Sequence, residues 1–235
     1  GLDQISIMFI SYRLNYGTMI LQAIKISNQF YLNNFNKIFQ TCIVSVVVVS
    51  ALSANTPNFD SNSYIILTVI TTLLQVHLTC MLMMVTSDII NGKEQSITNY
   101  YFKSIFFVAP LFAVGLMVGF GLLLGFAAFI IPGIFLLGKL IFAQYFLLLR
   151  GKGIFESLEL SWELESGKAW NLGVVIVTMV LMWGLFVGTV SSYFINDNNT
   201  LEPIAIFLTS VFSFMILNIY LNTFLIHLFI IEENQ

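Results

Sequence analysis

The sequence predicts an all-α, polytopic membrane bundle of six transmembrane helices, with amphipathic helices on its cytoplasmic side. Three observations lead there. Apolar residues fill 58% of the 235 positions and charged residues only 9%, against about 25% charged in water-soluble domains. The apolar residues run in solid blocks, near the ~20 residues a helix needs to cross hydrocarbon, and unlike the alternating segments of roughly 10 residues that build a membrane barrel. The basic residues fall in alternate connections between those blocks, as expected of a chain that weaves through a bilayer.

Element by element, residues 16–31 read first as an amphipathic helix lying in the headgroup plane. Ile20, Ala23, Ile24, Ser27, Phe30 and Tyr31 share one face, and Gln22, Lys25, Asn28 and Gln29 lie opposite. Spans are expected at about 38–53, 64–87, 104–126, 128–149, 171–194 and 203–231, all in one integral membrane domain. Pro132 and Gly133 mark the turn between the third and fourth, and Asn196 to Asn199 the loop before the last. A second interfacial helix is expected at 154–166. Its apolar face is Ile154, Phe155, Leu158 and Trp162, and its acidic face is Glu156, Glu159 and Glu163.

Orientation follows from charge. Arg13, Lys25, Lys37, Lys93, Lys103, Arg150, Lys152 and Lys168, eight of the nine basic residues, fall on one side of a six-span chain. The bias toward basic cytoplasmic loops then places both termini in the cytoplasm. Tyr100, Tyr101 and Trp170 fit the inner interface, Tyr64 and Tyr193 the outer one. Lys37, Lys103 and Lys168 recur at spacings of 66 and 65 residues, which either reflects three repeated units or follows from helical hairpins of similar length. Lys139, the one charge inside a span, is expected to snorkel to the outer interface. Gly115 with Gly119, Gly121 with Gly125, and Gly184 with Gly188 have the small-xxx-small spacing of close helix contacts.

Several classes of function are disfavoured. A net charge of −3 supplies no basic stripe for nucleic acid. Cys42 and Cys80 sit in apolar blocks as small hydrophobes, and two Cys with two His so far apart offer no metal spacing. No nucleophile elbow, zinc helix or phosphate loop is present. Neither a catalytic residue nor a cofactor is assigned.

Two candidate sites remain. Gln75, His77, Gln144, Asn218 and Asn222 lie at comparable depth in the returning spans. Each is costly in hydrocarbon, so they serve either as interhelical hydrogen bonds or as a polar cavity open to the cytoplasmic leaflet, holding a lipid headgroup or small solute. Glu156, Glu159 and Glu163 form either a solvated stripe or a docking face for a basic protein partner.

Pro132, Gly133 and Ile134, Phe142 and Ala143, Gly153 to Phe155, then Ser157, Leu158, Ser161, Trp162, Leu164 and Trp170 resemble the signature of the YciC-like family of bacterial inner-membrane proteins. They also resemble the membrane domain fused to some glycerophosphodiester phosphodiesterases. The resemblance covers about 130–172 and implies a six-helix inner-membrane protein with no activity to carry over. The expectation is a non-catalytic subunit or envelope-maintenance factor acting through partners or membrane lipids. The alternatives are a lipid or solute conduit and, last, a membrane enzyme.

Overall fold

A computed structural model describes residues 16–55, 61–93, 95–164, 166–192 and 203–233. Among the described residues the helices run in the order α1 (Tyr16–Asn55), α2 (Ser61–Ile90), α3 (Ile97–Ala128), α4 (Ile130–Leu140), α5 (Ala143–Arg150), α6 (Ile154–Trp162), α7 (Ser166–Ser192), α8 (Pro203–Ser213) and α9 (Ile219–Glu233). A π-helical segment, Phe214–Asn218, joins the last two. Arg13, Tyr193 and the 196–199 loop lie outside the described residues.

Among the described residues, five helical stretches are long and apolar enough to cross a membrane: α1, α2, α3, α4 with α5, and α7. The segment from α8 through α9 is comparably apolar but is divided by the π turn. Large apolar side chains point outward, with Phe106 80% and Leu185 72% exposed. That surface is stable only against lipid. The protein is a multi-pass helical membrane bundle.

The helices pack around a closed circuit: α1 against α2, α2 against α3, α3 against α4, α4 against α7, and α8 with α9 back along α1. At one end α9 is enclosed on all sides, and every residue from Asn222 to Phe229 is buried. Phe142, just before α5, and Tyr145 and Phe146 within it surround the Phe229 ring with centroids 4.9–6.2 Å apart among the four. Offset and edge contacts of this kind suit the aromatic quadrupole.

Residues 16–31 are not a separate interfacial helix. They continue without a break into α1, whose 40 residues give about 60 Å of helix at 1.5 Å per residue. The expected face is the one buried, with Met19, Ile20, Ala23 and Ser27 in the core and Lys25, Asn28 and Gln29 exposed. Its partner is protein: Ser27 Oγ lies 3.3 Å from His227 Nδ1, and the Phe30 ring packs edge-on against the His227 ring at 5.1 Å. Nδ1 also lies 2.8 Å from the Thr223 carbonyl oxygen. A carbonyl only accepts, so Nδ1 carries the proton in that bond.

Of the three spacing motifs only Gly121 with Gly125 meets a neighbouring helix, and the closest approach uses two further glycines. A Cβ on Gly138 would sit 1.8 Å from the Ala169 carbonyl oxygen, and one on Gly173 would sit 2.1 Å from that of Ile134. Only glycine lets α4 and α7 cross at that distance. Gly125 touches Gly133 in the α3–α4 hairpin, whereas Gly115, Gly119, Gly184 and Gly188 meet nothing within 4 Å. Those four face outward, so their spacing marks no contact within the chain. Tyr100 is likewise no interface anchor, being buried at 5% exposure. The Tyr101 hydroxyl accepts a bond from Ser45 of α1 at 3.1 Å.

Candidate functional site: a polar crevice within the bundle

The last turns of α1, the middle of α2, α7 and the α8–π segment do not close on one another. They leave a crevice of ≈ 460 Å³. Its lining is unusually polar for a membrane bundle: Ser50 and Ser53 from α1, Gln75 and Thr79 from α2, Thr209, Ser210 and Ser213 from α8, and Asn218 from the π segment. A π turn holds one extra residue per hydrogen-bonded ring and recurs at functional positions in helices. Here it ends at Asn218, which turns that amide to the crevice.

Half of these polar groups are already spent. Ser53, Thr79 and Thr209 donate to carbonyls one turn back in their own helices, at 2.9, 2.9 and 2.7 Å. Ser213 Oγ accepts from the Trp183 indole at 3.2 Å, which ties α7 to α8. The side chains of Ser50, Gln75, Ser210 and Asn218 make no hydrogen bond to any described group, though all four line the crevice. An amide left unpaired in an apolar medium costs about 2–7 kcal/mol. Gln75 and Asn218 are both exposed on the open wall of the crevice, where two unpaired amides favour a polar guest over hydrocarbon.

The five residues of the expected polar cluster divide. Gln75 and Asn218 share the crevice. His77 belongs to the α2–α3 contact, its Nε2 lying 2.7 Å from Ser104 Oγ and 3.2 Å from the Tyr101 carbonyl oxygen. Ser104 Oγ itself donates to that carbonyl at 2.9 Å, so His77 is a satisfied interhelical donor. Gln144 is half-buried on α5 and Asn222 is buried on α9, and neither lines the crevice. Nor does the crevice open toward the basic end of the molecule, as expected of a cavity facing the cytoplasmic leaflet. It lies near the C-terminal turns of α1 and the N-terminal half of the α8–α9 segment, away from Glu232 and Glu233 and their basic partners.

The acidic helix α6 is present, ending at Trp162 rather than 166. Glu156, Glu159 and Glu163 are exposed as expected. Lys152 donates to Glu156 at 2.7 Å, and the Gly153 N–H adds a second bond at 3.4 Å. Together they hold the Glu156 carboxyl below the usual carboxylate range. The face pressed against the bundle is the one that carries the two serines. Ser157 and Ser161 are the buried pair, with Ile154 and Leu158 half-buried, while Phe155 and Trp162 are 75% and 49% exposed. Small serines let α6 lie close to its neighbours, and Ser161 Oγ donates to the Lys139 carbonyl at 2.6 Å.

Lys139 explains why α6 docks this way. It does not snorkel outward but is buried at 7% exposure. Its ammonium donates to the carbonyls of Trp162, at 3.0 Å, and of Leu164. These carbonyls lie at the C-terminal end of α6, where helix ends favour a cation. Gly151 makes the reversal possible. With φ of 64° it takes the left-handed conformation that ends α5, and the chain folds back along α5 as α6. Sequence reasoning missed this pairing because its signal, a lone lysine amid apolar residues, names no partner.

No family model, curated protein or solved structure matches this chain. Fold and crevice alone define its class: a multi-pass helical membrane protein with neutral hydrogen-bonding side chains lining an open crevice between helices.

Proposed function

We propose that the protein is a non-catalytic, six-span bacterial inner-membrane protein with both termini in the cytoplasm, and that it acts by holding a polar, net-neutral group in the crevice. A lipid headgroup or a small solute has the required chemistry. The role would be that of an envelope-maintenance factor or membrane subunit, with conduction of the same guest as the nearest variation. The observation that carries this reading is the pair of unpartnered amides, Gln75 and Asn218, on one crevice. Among the described residues no Asp, Glu, Lys or Arg lines the crevice, which favours a neutral guest over an ion.

The orientation rests on the sequence bias of basic residues, and the gathering of charge at one end supports it. Lys168 pairs with Glu232 at 2.7 Å and Arg150 pairs with Glu233. The resemblance of 130–172 to the YciC-like family points to the same inner-membrane setting.

A second reading has its own observation. All three glutamates of α6 face outward beside exposed Phe155 and Trp162, which suits docking of a basic cytosolic protein.

The test of the crevice is retention of its guest. Wild-type protein and Gln75→Leu/Asn218→Leu are purified from membranes and compared by native mass spectrometry, with phosphatidylethanolamine then offered in nanodiscs. Wild type retains one guest per chain and the variant does not. Equal retention by both would remove the crevice from function.

A further inference from the structure

The opposite end of the bundle holds a second cleft, of ≈ 400 Å³. It lies between the C-terminal ends of α2 and α5, the start of α3 and the last turns of α9. Three cations reach it, Lys93, Lys103 and Arg150, with one described carboxylate, Asp88, while Phe107 and Phe229 contribute apolar wall. We propose that this cleft binds a phosphate group, carried by an anionic phospholipid or free in solution.

The reasoning is one of unmet charge. Arg150 is engaged by Glu233 and sits 5.9 Å over the Phe229 ring. Asp88 accepts from the Gln95 amide at 2.5 Å. Lys93 and Lys103 are left with no carboxylate in ion-pair range among the described residues. Two ammonium groups lining one cleft repel each other, and an anion set between them reverses the sign of that interaction. A phosphate offers several acceptor oxygens, enough to meet both lysines and the outer edge of the guanidinium. The apolar wall distinguishes this cleft from a simple surface patch: phosphate at a basic rim and hydrocarbon beneath is the layout of a phospholipid at the membrane surface. The site is separate from the neutral crevice in place and in ligand charge, so either can fail alone.

The full chain in phosphatidylcholine nanodiscs is titrated with phosphatidylglycerol and read by native mass spectrometry, and titrated with inorganic phosphate by calorimetry. Wild type binds phosphatidylglycerol about thirtyfold more tightly than Lys93→Gln/Lys103→Gln, given the usual contribution of a basic residue near a membrane surface. Lys25→Gln/Lys37→Gln removes the same charge from exposed positions on α1 and retains wild-type affinity. Lys93→Arg/Lys103→Arg retains binding too, which separates loss of the site from loss of the fold. Saturable phosphate binding that disappears with the same two lysines identifies a soluble source. Phosphatidylglycerol binding without it identifies the lipid. Equal weakening by both Gln pairs, no weakening by the cleft pair, loss of binding in the Arg pair, or no binding of either probe overturns the proposal.

Discussion

Replacing Lys139 with methionine keeps most of the side-chain volume and removes the ammonium that holds the end of α6. Two charge-assisted hydrogen bonds disappear, to the Trp162 and Leu164 carbonyls, and each such bond contributes about 1.5–3 kcal/mol. The cation also leaves its positions 5.7 and 5.8 Å from the Phe135 and Trp162 rings. Against this, a buried ammonium no longer has to be desolvated, which returns several kcal/mol. The balance is a net loss of about 2 kcal/mol, concentrated where the carbonyls lie, and corresponds to roughly thirtyfold faster opening. Hydrogen–deuterium exchange in nanodiscs reads it directly: amides over 154–164 exchange about thirtyfold faster in Lys139→Met, while α1 and α9 are unchanged. Unaltered exchange over α6, or an equal rise in every helix, would refute the assignment of Lys139 as its anchor.

Gly138→Ala and Gly173→Ala each force a Cβ into a facing carbonyl oxygen, at 1.8 and 2.1 Å. Each should lower stability by about 1–3 kcal/mol in thermal unfolding, whereas Gly184→Ala, with nothing within 4 Å, should leave it within about 0.5 kcal/mol. Because Lys152 and the Gly153 N–H depress the Glu156 pKa, their support of the α6 start is complete above the ordinary glutamate pKa. It is lost as pH falls through the lowered folded value. NMR titration of Glu156 should show a midpoint below that of a free glutamate and a return toward it in Lys152→Gln. Reporter fusions after Asn58, Gln95, Gly153 and Asn198 should report outside, inside, inside and outside, and any exchanged pair would contradict the six-span orientation.

Depth along a helix is legible in this sequence, and rotation about its axis much less so. Gln75 and Asn218 were placed at matched depth by counting residues, and they do share a crevice. Gln144 has the same depth but sits on α5, which does not line the crevice, and nothing in the spacing says so. His77 shares that depth, yet a neighbouring helix supplies its partner, Ser104 Oγ of α3, at 2.7 Å. Amphipathic periodicity identified the buried face of 16–31 correctly, from Ile20 to Ser27. It could not tell headgroups from protein as the surface covering that face. On α6 the same rule favoured bulk, and the structure buried the small pair Ser157 and Ser161 instead, since close packing and a bond to the Lys139 carbonyl select size over hydrophobicity. The Lys139 contact with 162–164 depends on a chain reversal at Gly151, a three-dimensional event with no period to detect.

The central claim is that Gln75 and Asn218 serve a guest and not each other. A density map of the full chain in lipid nanodiscs tests it most directly. The account predicts a non-protein density in the crevice within hydrogen-bonding distance, about 2.7–3.2 Å, of both amides. An empty crevice, with the two amides bonded to each other or to neighbouring helices, would contradict it.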